Sequence, residues 1–149
     1  MTEVLFYHLL NRTPEQVLPS LLERSMSRGW KSLVRAGSEE RADAIDAALW
    51  TYRDDSWLPH GRETDTNAER QPVLVTALSE NANSADVCFA VDGAELGDPS
   101  GFSRAVYLFN GDNPDALTRA REAWKAMKGQ GHEVTYWQQD ADGRWVKKA

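Results

Sequence analysis

Two kinds of hydrophobic pattern alternate along this chain, and their order predicts which segments are strands and which are helices. Short apolar runs rich in β-branched or aromatic residues predict strands. Apolar positions spaced three and four residues apart predict amphipathic helices. The predicted strands span 3–8, 30–36, 72–78, 85–93, 102–110 and 133–139, and the predicted helices span 14–28, 39–52 and 114–129.

Capping and turn residues support these helix boundaries. Ser38 and Asn113 are residue types that accept hydrogen bonds at helix N-caps, and Gly29 suits the position after a helix C-terminus. Pro19, inside the first predicted helix, predicts a kink or a later start. The segment 61–70 is predicted to be a polar loop without a pattern, and the tail after 139 is expected either to pair or to fray.

The element order β-α-β-α-β-β-β-α-β predicts an α/β fold. Its expected arrangement is a three-layer, Rossmann-like domain in which helices flank a mostly parallel sheet. No internal repeat or change of composition divides the chain, so residues 1–149 are predicted to form one domain. This layout raises the question of a nucleotide site, because such folds bind phosphate at a glycine-rich turn after the first strand.

The predicted strand-to-helix turns lack a nucleotide-binding loop. The first turn reads HLLNRTPEQ and contains no glycine. The second reads RAGSEE, whose two acidic residues would repel phosphate. Gly93, Gly97 and Gly101 are spaced by four, but they lie between two predicted strands and do not open a helix.

Metal-ligating and nucleophilic patterns are also absent from the sequence. The three histidines are far apart, and no Cys/His spacing fits a zinc site. Cys88 lies between apolar neighbours in a predicted strand and is interpreted as an inert core residue. There is no nucleophile elbow, and Asp54-Asp55 is more typical of a solvated loop than of catalytic carboxylates. We therefore expect no cofactor, no metal and no catalytic residue.

Composition and charge bound the possible partners. The formal net charge of −6 argues against broad binding to nucleic acid. From Thr118 onward, however, seven Lys or Arg residues face four Asp or Glu residues. This basic segment reflects either chance combined with favourable cations near a helix C-terminus, or a local site for an acidic partner.

The sequence also bears on the compartment. No run of about 18 apolar residues is present, so we expect no membrane span. The N-terminus MTEVLFYHLL has no basic region and no small-residue cleavage site, so we read no signal peptide. The single cysteine excludes an internal disulfide. A cytoplasmic location is the simplest expectation.

The last predicted helix carries a small-residue face next to a basic one. Its small face, suited to packing on a sheet, consists of Ala116, Ala120, Ala123 and Met127. Beside it, Trp124 is predicted to lie among Arg121, Lys125 and Lys128. One interpretation is a half-buried Trp surrounded by cations that extend to solvent. The other is a pocket for a negatively charged partner with an apolar anchor.

Two further tryptophans are not explained by the predicted core. Trp50 lies about 140° around its helix from Ile45, off the apolar stripe. Trp57 follows in a loop before Pro59-His60. Loop aromatics can simply close the edge of a domain, but a pair of them also suggests a shared, partly exposed surface.

Three stretches of the chain resemble the chi subunit family of bacterial DNA polymerase III. They are VLFYHLL, DAIDAALWTYRDDSWLPHG and AREAWKAMKGQGHEVTYW. In the family, the middle stretch is a helix ending in Asp-x-x-Leu-Trp, followed by an aromatic residue, one further residue and Pro-His. The residues that match this pattern are Asp46, Leu49, Trp50, Trp57, Pro59 and His60.

The resemblance implies an accessory subunit without catalysis of its own. Chi proteins have a Rossmann-like fold that does not bind nucleotide, and they bind the acidic C-terminal tail of single-stranded DNA-binding protein. That tail ends in Pro-Phe and a free carboxylate. Chi proteins also bind the psi subunit, which ties them to the clamp loader, so nucleic acid would be contacted only indirectly.

Carried over by position, the resemblance implies a tail-binding site on the last helix. Arg121 would bind the terminal carboxylate, and Lys125 and Lys128 would meet the aspartates of the tail. Trp50, Trp57 and Trp124 would form the apolar wall for its Pro-Phe end.

Two alternatives remain at the level of the sequence. A Rossmann-like enzyme acting on nucleotides or nucleic acids would place perturbed titratable groups in a cleft at the carboxyl ends of the strands. An unrelated scaffold with purely structural tryptophans would bury all three of them apart from one another.

Overall fold

A computed structural model describes residues 2–10, 12–52, 59–78 and 81–149. Eight strands in these residues form one sheet. They are Glu3–Leu9 (β1), Ser32–Arg35 (β2), Gly61–Arg62 (β3), Val73–Thr76 (β4), Val87–Ala90 (β5), Arg104–Asn110 (β6), Glu133–Gln139 (β7) and Trp145–Lys147 (β8). The sheet order is β3-β4-β2-β5-β6-β1-β7-β8, and only the β7–β8 pair is antiparallel.

Three α-helices flank the sheet, and the second and third begin where their predicted capping residues lie. They are Pro14–Ser27 (α1), Glu39–Thr51 (α2) and Pro114–Gly129 (α3). The Ser38 hydroxyl accepts a hydrogen bond from the backbone N–H of Arg41 at 3.2 Å. The Asn113 side chain accepts two backbone N–H groups of the first turn of α3. The helix α1 runs through Pro19 without a later start.

The direction of each crossover decides which face of the sheet a helix covers. The connections through α1 and α2 lead from β1 toward the β3 edge, and both helices pack on one face. The connection through α3 leads from β6 past β1 to β7, toward the opposite edge. Right-handed crossovers in opposite directions place their helices on opposite faces, and α3 accordingly packs on the second face.

Side chains of β1 alternate between the two cores. Leu5 and Leu9 join the core beneath α1 and α2, whereas Val4 and Phe6 join the core beneath α3. A third, smaller cluster around Leu33 lies on the α3 side toward the β3 edge. The α/β class and the mostly parallel sheet with helices on both faces are therefore confirmed.

One segment differs from its prediction, and the structure decides between the two alternatives left open for the tail. The segment 61–70, predicted as a loop without a pattern, contains the edge strand β3 and a 3₁₀ turn at Ala68–Arg70. The tail pairs with β7 through β8. Within the described ranges, no helix is both long and apolar enough to cross a membrane.

Candidate functional site

The small-residue face of α3 lies on the sheet as its spacing predicts. Ala120 is 2% exposed and Met127 is 5% exposed. Ala116 and Ala123 pack at the margin of the same core. Small side chains let the helix approach the sheet closely, so residues at the edge of this face are held at its rim.

Trp124 is half-buried at that rim, between the helix and the sheet. Its ring meets the ring of Phe6 edge-to-face, with the centroids 5.5 Å apart. It meets the ring of Tyr136 in the same manner at 5.8 Å. Phe6 from β1 and Tyr136 from β7 therefore support the indole from below. Sequence reasoning missed both supporting residues.

Three cations surround the Trp124 ring or lie near it on the same helix. The ammonium nitrogen of Lys128 is 4.8 Å from the centroid of the ring, within range of a cation–π interaction. Arg121 and Lys125 are exposed on neighbouring positions. Within the described part of the chain, no carboxylate lies within 4 Å of these three cations. Trp124 and these three cations, called the α3 cluster below, therefore carry positive charge that no ion pair among the described residues neutralises.

A hydrogen bond beneath this cluster joins residues that the sequence did not connect. The Tyr136 hydroxyl and Nδ1 of His8 are 2.5 Å apart. Burial raises the pKa of the Tyr136 phenol, and the nearby charge of Arg121 opposes that rise. Burial lowers the pKa of His8, while Asp112 opposes that shift. A Cβ at Gly111 would overlap the His8 imidazole, so only glycine fits beside this ring.

Trp50 does not join the α3 cluster, contrary to the expectation of one shared wall. It lies on α2, whose buried residues Ile45 and Leu49 belong to the core on the opposite face of the sheet from Trp124. The crossover direction separates the two helices, and nothing in the local sequence reveals that direction. Trp57 and Asp54-Asp55 lie outside the described residues.

The surroundings of Trp50 nevertheless match its predicted exposure. Its side chain is 54% exposed, and its ring centroid is 4.6 Å from that of the buried His60. The Nε2 atom of His60 is 3.1 Å from a carboxylate oxygen of Asp46, one helical turn before Trp50. Trp50 is thus an exposed aromatic on an acidic helix.

Two further features concern the cysteine and possible metal ligands. Cys88 is fully buried, and burial raises the pKa of its thiol to about 11, which keeps it protonated. Within the described ranges, no group of three or more His, Cys, Asp or Glu side chains could hold a metal ion. The chemistry available at the α3 cluster is the binding of an anionic group next to an aromatic face.

Comparison with known proteins connects this geometry to one family. The family described as "DNA polymerase III chi subunit, HolC" matches residues 1–135. A relative from Rickettsia prowazekii (strain Madrid E), described as a probable DNA polymerase III subunit chi, is 24% identical over 96 residues. That match covers 64% of this chain and 58% of the relative, so the chain spans less than two thirds of the relative's length.

Proposed function

The chain belongs to the DNA polymerase III chi subunit family, and we propose that it is a non-catalytic accessory subunit that links the polymerase to single-stranded DNA-binding protein. In this proposal, the α3 cluster binds the acidic C-terminal tail of that protein. A psi subunit would connect the chain to the clamp loader.

The arrangement of cations around one supported indole carries the proposal. Trp124 offers a half-buried apolar surface, and Lys128 lies over its ring at 4.8 Å. Arg121 and Lys125 are exposed on the same helix. An acidic peptide that ends in an aromatic residue complements both features, because its carboxylates match the cations and its side chain matches the indole.

Each cluster residue then has a distinct role. Arg121 would bind the terminal carboxylate through two parallel N–H···O hydrogen bonds, a geometry that the planar guanidinium provides. Lys125 and Lys128 would face the aspartates of the tail as point charges. Trp124 would pack against the Pro-Phe end. The proposed pocket omits Trp50, which lies on the other face of the sheet.

The test is a titration of the full chain with a labelled ten-residue acidic peptide that ends in Pro-Phe with a free carboxylate. We expect saturable binding with a Kd on the order of micromolar, which weakens as salt is raised because charge pairs contribute. Anisotropy reports the binding, and tryptophan fluorescence reports whether an indole becomes covered.

Two controls separate the pocket from nonspecific charge attraction. A peptide without the terminal Phe should bind much more weakly, since the apolar anchor is lost. Arg144→Ala removes another exposed arginine and should leave the affinity unchanged. No saturable binding at ~100 µM peptide and low salt, far above the expected Kd, would refute the proposal.

A further inference from the structure

At the β7–β8 edge, one face of the sheet extends beyond its helical cover. On the face opposite α3, the helices α1 and α2 cover the strands from β4 to β1, where Leu5 and Leu9 are buried. Beyond them, Tyr7 of β1, Trp137 of β7 and Trp145 of β8 are only half-buried. Parallel strands are normally covered on both faces, so this open face is unusual for the fold.

The open face presents three aromatic rings on neighbouring strands. Tyr7 of β1 lies directly opposite Trp137 of β7 in the parallel pairing of these strands, so both side chains lie on the same face of the sheet. Trp145 stacks on Tyr7, with the ring centroids 4.5 Å apart and the planes 26° from parallel. The indole N–H of Trp137 donates to the Thr135 hydroxyl at 3.0 Å, which directs the ring along the strand.

Cations border these rings on both sides. A groove of about 670 Å³ beside Tyr7 has a floor that includes Phe89 and a rim that includes Arg24, Arg28 and Arg104. Burial raises the pKa of the Tyr7 phenol, and the charges of Arg104 and Arg24 oppose that rise, as cations close to the ring do. On the far side, Lys147 lies opposite Trp137 in the β7–β8 register.

The carboxylates on this face do not neutralise the whole rim. Glu3 forms an ion pair with Arg104 at 2.5 Å, and Glu23 also lines the groove. Arg28 contacts an aromatic ring, since its guanidinium carbon lies 4.3 Å from the centroid of the Trp30 ring. Within the described residues, no carboxylate lies within 4 Å of Arg24, Arg28 or Lys147.

We propose that this open face of Tyr7, Trp137 and Trp145 binds single-stranded nucleic acid directly. Unpaired bases stack on aromatic side chains without regard to sequence, and cations beside the rings contact the phosphates. A strand with one charge per nucleotide suits cations on both sides of a ring platform better than a peptide with charges at one end. The negative net charge argues against broad binding to nucleic acid, but the cations on this face are concentrated locally.

Part of the proposed surface lies beyond the residues that the family model matches. That match ends at residue 135, whereas Trp137, Trp145 and Lys147 all follow it. The surface also lies on the opposite face of the sheet from the α3 cluster. The two surfaces share no residue and can therefore be tested with separate variants.

The test is a titration of the full chain with fluorescein-labelled (dT)12 at about 50 mM salt, followed by anisotropy. We expect saturable binding that weakens steeply with salt, because phosphate contacts release counterions. Trp145→Ala should weaken binding about tenfold, the effect of losing one stacked base. Trp50→Ala is the matched control, since it removes an exposed indole elsewhere, and it should leave the affinity unchanged.

Two further variants separate a loss of oligonucleotide binding from a loss of folding and from a loss of tail binding. If Trp145→Ala disturbs the fold, Lys147→Glu reverses an exposed charge on the same face and should weaken binding severalfold. Arg121→Ala should leave oligonucleotide binding intact, so failure of tail binding and failure of this proposal are distinguishable. Three results would overturn the proposal: no saturation at ~100 µM chain, equal affinity of Lys147→Glu, or equal competition by the acidic peptide.

Discussion

Trp124 and Trp50 are both tryptophans on sheet-flanking helices, yet their surroundings differ in packing and in charge. Trp124 rests on Phe6 and Tyr136, whereas Trp50 contacts the ring of His60 and is 54% exposed. The two helices also have opposite charge patterns. The charged residues are Glu39, Glu40, Arg41, Asp43 and Asp46 in α2, and Asp115, Arg119, Arg121, Glu122, Lys125 and Lys128 in α3.

This comparison shows how the fold gives one residue type two different binding preferences. An acidic ligand is attracted to α3 and repelled by α2, even if both indoles offer it apolar area. Support from below also differs, because a ring fixed by two other rings loses less conformational entropy when a ligand covers it. The variants below test these two differences separately.

The largest expected effect comes from removing the support beneath Trp124. Phe6 is fully buried and contacts the rings of Trp124 and Tyr107. Phe6→Ala should lower the free energy of unfolding by about 3–5 kcal/mol, through lost burial and the cavity left behind. Urea denaturation followed by circular dichroism measures this loss. A loss below about 1 kcal/mol would contradict the tight packing of Phe6 beneath Trp124.

Removing the guanidinium of Arg121 should affect binding and leave folding unchanged. An exposed arginine without a carboxylate partner among the described residues contributes little to stability. A charged, bidentate contact to the terminal carboxylate is expected to contribute about 1.5–3 kcal/mol to binding. Arg121→Ala should therefore weaken tail binding by tenfold or more. Unfolding of this variant in the same urea titration would identify Arg121 as structural and contradict its assignment.

The next largest expected effect is a dependence of the free energy of unfolding on pH, caused by His8 beneath the α3 cluster. Burial lowers the pKa of His8 below its ordinary value of 6.5 in the folded state, so the unfolded chain binds the proton more readily. Stability is then fully present above pH ~6.5 and is lost as the pH falls through that value toward the folded pKa. Protonation of His8 would also remove the lone pair on Nδ1 that can accept a hydrogen bond from the Tyr136 hydroxyl.

The measurement is the free energy of unfolding of the wild type and of His8→Gln between pH 7.5 and pH 5. We expect the wild type to lose stability over this range and the variant to show a smaller slope. A wild-type slope unchanged by His8→Gln would place the titrating group elsewhere and remove His8 from this account.

Features that depend on local spacing could be predicted from the sequence, and for α3 these were its sheet-facing positions and its N-cap. The positions of Ala120 and Met127 follow from 3.6-residue periodicity, and the Asn113 cap follows from its side-chain chemistry. The His8–Tyr136 contact joins residues 128 positions apart, and no local pattern encodes such a pairing. The short strands β3 and β8 were missed as defined elements because two or three residues cannot display an alternation.

The separation of the two tryptophans has the same origin. Whether α2 and α3 share a face depends on the directions of the β2-to-β3 and β6-to-β7 crossovers, and these follow from the strand order, which is set by long-range pairing. The resemblance supplied the residues of the pocket without their geometry. It therefore joined Trp50 and Trp124 in one wall, whereas the structure places them on opposite faces.

The smallest expected effect is that of Trp50→Ala, and it decides whether the two tryptophans act together. The side chain is 54% exposed, so its removal should lower the free energy of unfolding by less than about 1 kcal/mol. Tail affinity should stay within about twofold of wild type, because Trp50 lies on α2, which packs on the other face of the sheet from α3 and carries more acidic than basic residues. The same anisotropy titration measures this, with Trp124→Ala as the matched loss of an indole. If Trp50→Ala weakened tail binding as much as Trp124→Ala, the tail would have to contact both faces, and a pocket confined to α3 would be wrong.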